Sequence, residues 1–347
     1  TNDSGLILIE RAAWGVIGSI TPTTNPTETI INNGIGFIAA GNTGVFNPHP
    51  GARGVSAHCI RLINQASVSA GGPANILTGI GSPTIDSAGA LMKHHDIDMI
   101  VVTGGPGVVK AAFASGKKVI CGGPGNPPTV VDPTANIEKA ARDIVNGHSF
   151  DNNIICTDEK EVVVVDSVAD RLIEAMRASG AYMINKTQAD RLTGIVLSDK
   201  GKPGCGGHAN KDFVGKNASV LLREIGINIH DDVRCVIADV DNDHPMVWTE
   251  QLMPFLPITR VPDVHRAIDL AVRAEQRCNH TASMHSHDVE HLSKMARAFQ
   301  GSIFVKNAPH YAGLGEGGPG YTSFTIASPT GDGLTTCLTF SRERRCC

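Results

Sequence analysis

Strand-like apolar runs, glycine- or proline-rich breaks and helix-spaced segments follow one another repeatedly from Val16 to Val145. Val16–Ile20 meets the break Thr21–Pro26 (TPTTNP), after which Ile30, Ile31, Gly34, Phe37 and Ile38 recur at helical spacing up to Gly41–Asn42. Gly44–Phe46 meets Asn47–Gly51 (NPHPG), and Val55, Cys59, Leu62 and Ile63 mark the next helix. Asn75–Leu77 leads into the loop Thr78–Pro83 (TGIGSP). Met99–Val102 leads into Thr103–Gly107 (TGGPG) and a helix through Ala111, and Lys118–Cys121 into Gly122–Pro128 (GGPGNPP). Ile137, Ala140, Ala141, Ile144 and Val145 then make one apolar helix face. Such alternation restricts the chain to an α/β fold with a parallel sheet, because each parallel pair needs a crossover. Ligands of these sheets bind at the carboxyl ends of the strands, where the glycine loops cluster.

A second α/β block follows. Val162–Val165 is strand-like, Ser167 is positioned to cap the next helix, and Val168, Leu172 and Met176 form its apolar face up to Gly180. Ser198–Lys216 is glycine-rich and has no clear period. Helical patterns return at Ala218–Ile225, Val264–Val272 and Val289–Phe299, with strands near Cys235–Ala238, Ile303–Val305 and Leu334–Phe340. The blocks divide as 1–147, 148–320 and a tail, 321–347, whose strands return to the first block or reach a partner subunit.

Composition narrows the class. With 347 residues, 41% hydrophobic and 18% charged, the chain holds a large core. A net charge of −4 without a basic patch argues against nucleic acid, and no apolar run is long enough to span a membrane. Nine irregularly spaced cysteines make neither a disulfide framework nor a CxxC zinc site, which points to a reducing, cytoplasmic setting. The chain opens on Thr1 and stops at SRERRCC, so both ends are read as truncated.

Chemistry-bearing residues come with alternatives. Cys156, in DNNIICTDEK (Asp151–Lys160), lies in a polar loop before Val162–Val165. There it is either a nucleophile at the mouth of a sheet or a small buried hydrophobe, the commoner fate of cysteine. TGGPGVVK is neither a GK[ST] phosphate loop nor GxGxxG. Its amides either hold a pyrophosphate or close a plain turn. Asn25 either caps the helix after it or polarises a bound carbonyl. His280, His285, His287 and His291 are split across strand faces by alternation, and CGGH (Cys205, His208) is no stronger, so no metal is expected. Asp158, Glu159 and Lys160 read as solvated or structural, with Glu159 a minor catalytic candidate, and His148 is too far along the chain to be assigned to Cys156.

TPTTNPTETIINNGIGFIAAGN, FNPHPGA, TGGPGVV, CGGPGNPP, FDNNIICTDEK and EQLMPFLPI occur in the order found in the aldehyde dehydrogenase superfamily. More narrowly, the chain resembles the CoA-acylating propionaldehyde and acetaldehyde dehydrogenases of bacterial microcompartments, over essentially its whole length. The resemblance implies a Rossmann-type cofactor domain followed by an α/β catalytic domain, with part of the N-terminal cofactor domain missing. It makes Cys156 the nucleophile, and Asn25, with the Cys156 amide, the oxyanion hole. Glu250 becomes the ligand of the nicotinamide ribose, with Leu252 beneath the nicotinamide. Gly104, Gly105 and Val108 come beside the pyrophosphate, and Thr21, Pro22 and Thr23 line the cofactor cleft. Asn47, His49, Gly79 and Gly122 complete the cofactor set, and Ile155 and Thr157 shape the substrate pocket.

Two departures carry information. Acid-forming members place a glutamate where this chain has Ile120; an isoleucine takes no proton, so water is not activated and CoA is the expected acyl acceptor. Asn47 replaces a lysine that commonly holds the adenine ribose, implying a looser pocket that takes NAD, rather than NADP, and then CoA. The expected reaction is reversible oxidation of a short aldehyde through a Cys156 thioester. Rival readings are an acid-forming dehydrogenase, a phosphorylated-acyl reductase, a cysteine hydrolase and a non-catalytic nucleotide-binding protein. By the same resemblance the protein forms homo-oligomers through the strand near Leu334–Phe340 and is cytoplasmic, inside a microcompartment among shell and cargo proteins.

Overall fold

The computed structural model describes residue 3 and residues 5–347. They form two compact units, one comprising the chain up to Gly123 together with Thr322–Cys347, the other Pro124–Tyr321. The division therefore falls before Pro124 and not at residue 147. Pro128–Val131, which reads in sequence as the end of a proline-rich loop, is a strand of the second unit, paired in parallel with Glu161–Val165 and Thr281–His285. The helix Ile137–His148 goes with it, burying Ile137, Ala140 and Ile144 in one cluster with Val168 and Leu172.

The first unit is built on five parallel strands in the order Leu77–Gly79, Thr43–Pro48, Val16–Thr21, Met99–Thr103, Lys118–Gly122. Numbered along the chain that order is 3-2-1-4-5, the doubly wound arrangement whose switch point lies between Val16–Thr21 and Met99–Thr103. Pleating sends Ile17, Met99, Val101 and Ile120 to one face and Ile100, Val102 and Cys121 to the other, so each strand feeds two apolar layers. Leu77–Gly79 starts two residues later than the apolar pattern places it, because Asn75 takes a left-handed φ of 57°. In the helix Arg53–Ser69 the buried stripe holds Cys59 and Ile60, whereas Val55 and Leu62 are exposed, as is Ile31 in Pro26–Ala39. Ile85–Lys93 has little sequence pattern and is fixed by a reciprocal cap between Thr84 and Ser87.

The tail belongs to this unit. Leu334–Phe340 is not a strand: only Gly333–Leu334 pairs, with Ile326–Ala327, and the chain then turns so that Phe340 stacks edge-on against Phe37 at 4.8 Å. Asn42 fixes that turn by donating to the Phe340 carbonyl at 2.8 Å. The terminal strand is Ser341–Cys346, antiparallel to Leu8–Ala13.

The second unit holds seven parallel strands in the order Ile303–Lys306, Thr281–His285, Pro128–Val131, Glu161–Val165, Phe255–Val261, Cys235–Val240, Ala181–Ile184. Glu161–Val165 is buried along its length, as a central parallel strand must be. Ser167 does not cap the helix that follows; Asp166–Ala178 begins one residue earlier and takes Ser167 into its first turn. The patternless segment forms a short antiparallel pair, Leu197–Asp199 with His208–Ala209. Among the described residues no helix is long and apolar enough to cross a membrane.

Candidate active site

In the first unit the predicted residues gather at the carboxyl ends of the five strands. Thr21 ends the strand Val16–Thr21, and four residues on Asn25 stands at the start of Pro26–Ala39 without making a side-chain cap. Its Oδ1 accepts from Thr24 Oγ1 at 2.7 Å, while its buried Nδ2 finds no acceptor among the described residues. The helix start is served instead by Pro26, which needs no amide partner. A buried amide group without an acceptor is costly, so Asn25 is held for something other than capping. The buried Thr21 hydroxyl is also unpartnered, beside the half-exposed Pro22 and the exposed Thr23.

The loop after Met99–Thr103 leaves space. A side chain at Gly105 or Gly107 would meet nothing within 4 Å, whereas one at Gly104 would strike Val108 Cγ1 at 2.9 Å. Gly105 precedes the helix Pro106–Phe113, so free amides at a helix start face open room at the switch point. Asn47 is buried and its Oδ1 accepts from Ser87 Oγ at 2.6 Å, and His49 caps its own turn by accepting from the Gly51 amide at 3.1 Å. Gly79 lies over Ile60, and Gly122 runs within van der Waals reach of the Ile326 backbone. Ile120 is fully buried with Met99 and Val101, a hydrocarbon position with no group to move a proton.

In the second unit the site lies at the opposite end of its sheet. Cys156 precedes Glu161–Val165, Gly125 precedes Pro128–Val131, Glu250 precedes Phe255–Val261 and His280 precedes Thr281–His285. Because these strands are parallel, all four residues collect at their amino ends. The loop reaches Cys156 through three successive left-handed residues, Asp151, Asn152 and Asn153, with φ of 45°, 53° and 63°. Asn and Asp bear that conformation better than other side chains do.

Of the solvated and structural readings of Asp158, Glu159 and Lys160, the solvated one fails: all three are buried, as is Thr157. Asp158 Oδ2 accepts from the Ile155 amide at 3.1 Å, closing a turn around the half-buried Cys156. Glu159 Oε1 accepts from the His310 amide at 2.8 Å, and His310 Nδ1 donates to the Thr157 carbonyl at 2.8 Å. Glu159 is thus tied into the loop's support. His148 is also buried beneath it, with Asn153 Nδ2 donating to its carbonyl at 2.9 Å. Ile155 is buried too, so both flanking residues turn into the protein.

Glu250 Oε1 accepts from the Gly125 amide at 3.1 Å, bringing EQLMP against GGPGNPP. Gly125 is forced: a Cβ there would lie 2.8 Å from the Cys156 carbonyl oxygen and 2.9 Å from His280 Cγ. Leu252 is half-exposed at a left-handed φ of 54°, its carbonyl accepting from the Gly215 amide at 2.9 Å. Burial pushes the Cys156 thiol up to about 12, the Glu250 and Asp158 carboxylates add to the rise, and the Lys160 ammonium opposes it. Burial likewise raises Glu250, Asp158 and Glu159, and lowers His148, His280 and His310 to about 3, leaving those imidazoles neutral. No imidazolium therefore helps ionise this thiol.

The four histidines singled out in the sequence do not converge. His280 and His285 are buried at opposite ends of one strand, His287 is exposed, and His291 Nδ1 donates to Asp132 at 2.7 Å. Among the described residues the only trio able to share an ion is His94, His95 and Asp96, all exposed. Sequence reasoning missed Gly125 and Lys160, and it treated His280 only as a metal candidate. The strand-end spacing of all three was present, but nothing in the one-dimensional pattern joins them.

A doubly wound sheet with free amides at its switch point, and a second sheet presenting a cysteine and a glutamate at its amino ends, define an NAD-linked, thiol-dependent dehydrogenase class. The model of the aldehyde dehydrogenase family matches residues 1–318, and the chain belongs to that family. It is 49% identical, over all of its 347 residues and 74% of the relative, to the acetaldehyde dehydrogenase (acetylating) EutE of Salmonella typhimurium. Among solved structures it matches a Rhodopseudomonas palustris propionaldehyde dehydrogenase with bound propionyl-CoA, at 51% identity and a TM-score of 0.95, over 99% of this chain and 75% of that one. A propionaldehyde dehydrogenase from the Clostridium phytofermentans fucose utilisation bacterial microcompartment matches at 48% identity and 0.95, over 100% and 78%.

Proposed function

We propose that this protein is an oxidoreductase that oxidises a short aliphatic aldehyde, propanal or acetaldehyde, to the acyl-CoA, reversibly, with NAD and coenzyme A. The carrying observation is Cys156 in a clamped loop against Glu250, in a chain nearly half identical throughout to an acetylating aldehyde dehydrogenase. Ile120 supports CoA over water as acceptor, since its buried hydrocarbon cannot serve as a base.

The residues of the first unit fit a dinucleotide. Gly105 and Gly107 leave room over a helix start, and the Thr21 hydroxyl and Asn25 amide lack partners. Glu250 of the second unit is the residue to hold the nicotinamide ribose. When bound, NAD supplies the hydride acceptor. The Cys156 thiolate adds to the aldehyde carbon, and Asn25 and the Cys156 amide are assigned to steady the oxyanion. Loss of hydride from that carbon leaves a thioester on Cys156. The CoA thiolate then attacks the acyl carbon, and the C–S bond to Cys156 breaks, returning its thiolate.

The assembly follows by likeness: a homo-oligomer, working with microcompartment shell or cargo proteins. Phe340 is sequestered in the core, so the ribbon of Leu8–Ala13 and Ser341–Cys346, with Leu8 and Ile9 exposed, is the better candidate for contact between subunits. Incubation with propanal and NAD, with and without CoA, tests the reaction. NADH and propanoyl-CoA formed only with CoA present are expected. Free propanoate formed at the same rate without CoA would overturn the reading, as would full activity in Cys156→Ser.

A further inference from the structure

Lys160 is a buried cation for which the proposed reaction has no step. Its Nζ donates to the Asn153 carbonyl at 2.8 Å, to Asn153 Oδ1 at 2.6 Å and to the Ile155 carbonyl at 3.0 Å, so all three protons are used. Two of those acceptors belong to the last of the three left-handed residues, and the third to the residue just before Cys156. The backbone of Lys160 reaches the other two loops. Its amide donates to the Pro127 carbonyl at 2.9 Å, and its carbonyl accepts from Gln251 Nε2 at 2.6 Å. The loops carrying Cys156, Gly125 and Glu250 therefore meet at one residue.

We propose that Lys160 is the positioning residue of this site: it fixes the nucleophile loop in its left-handed form and supplies the positive field in which the Cys156 thiolate forms. A neutral side chain of similar length could hold the loop alone. An ammonium does more, because a buried charge is poorly screened; burial lowers the pKa of the Lys160 ammonium, and its three oxygen acceptors and the neighbouring acidic groups oppose that fall. Around it in its own segment stand Cys156, Asp158, Glu159 and Glu161, and from the loop before Phe255–Val261 comes Glu250. The surrounding imidazoles, His148, His280 and His310, are neutral, and Lys160, bonded to the carbonyl of the residue before Cys156, is the cation that lowers the thiol. Saturated by carbonyl-type oxygens, it is not free to act as an acid or base and works through Cys156.

This inference rests on Cys156 being the nucleophile, and its test is separable from aldehyde turnover. The rate of Cys156 carboxamidomethylation by iodoacetamide, read by peptide mass spectrometry from pH 7 to 9, is compared in the full chain and in Lys160→Gln. The expected result is the same slope with pH but a rate at least tenfold lower, with kcat for propanal down at least tenfold and KM within threefold. A folded Lys160→Gln whose alkylation stays within threefold of wild type would overturn the proposal. If that variant does not fold, Asn153→Ala keeps the cation and removes its closest acceptor. A tenfold fall in kcat at unchanged KM is then expected, and kcat within twofold of wild type overturns it. Wild-type protein that shows the alkylation behaviour but no aldehyde turnover would refute the function and leave the role of Lys160 standing.

Discussion

Asn25 shows how one side chain changes meaning when its partners are known. At the start of a helix the simplest expectation is a cap, yet its amide nitrogen is buried and has no acceptor among the described residues. As an oxyanion donor its loss removes about 2.7–4 kcal/mol of transition-state stabilisation. Asn25→Ala should therefore keep its fold and lose roughly 10²–10³ in kcat, which steady-state kinetics with propanal would show; a tenfold loss or less would return Asn25 to a structural role. Cys156 makes the second prediction at this scale. With its thiol pushed up to about 12, the reactive thiolate fraction is small at neutral pH and grows with alkalinity. Below that value each unit of rise in pH should increase the alkylation rate about tenfold, and a plateau by pH 8 would show that the thiol is not raised.

Among the elements, the loop before Glu161–Val165 is the most demanding. Three left-handed residues, a row of buried ionisable groups and a glycine wedged against it must be satisfied together. Gly125→Ala places a methyl group 2.8 Å from the Cys156 carbonyl oxygen and 2.9 Å from His280 Cγ, so the loop or the ring must shift. Overpacking of this kind costs about 1–3 kcal/mol, measurable by urea denaturation, and should depress kcat more than it changes KM for the aldehyde. Gly147, one residue before the end of the helix Ile137–His148, also touches this loop: a Cβ there would fall 2.2 Å from Glu159 Oε2, so a larger residue would have to displace that buried carboxyl group. The long helix faces and central strands were legible because period 3.6 and continuous apolar runs are local signals. Pro128–Val131 and Ile85–Lys93 were not, since one hides in a proline loop and the other depends on a cap.

For the molecule, each unit is a parallel sheet, but the chemistry lies at different ends. The first unit gathers its nucleotide candidates at carboxyl ends, the second its candidate nucleophile at amino ends. The tail completes the first unit from far along the chain, with Phe340 fully buried against Phe37. Phe340→Ala removes a ring from that core and should cost about 3–5 kcal/mol, seen as a lower urea midpoint. A shift of less than 1 kcal/mol would mean that the tail docks without contributing to the fold.

By itself the sequence determined the α/β class, the order of the breaks and the family, and it nominated Cys156 as the candidate nucleophile, because these rest on local period and on residues in fixed motif order. It also determined that Ile120 has no proton to give or take. Tertiary structure alone decided where the units divide, that Leu334–Phe340 is mostly a turn that delivers Phe340 to the core, and that Asp158, Glu159 and Lys160 are buried. The physical reason is the same throughout. A polar residue reveals its burial only through partners distant in sequence, as Lys160 does through Pro127 and Gln251. A candidate nucleophile can be named from a motif, but what holds it depends on three loops that meet only in the folded protein.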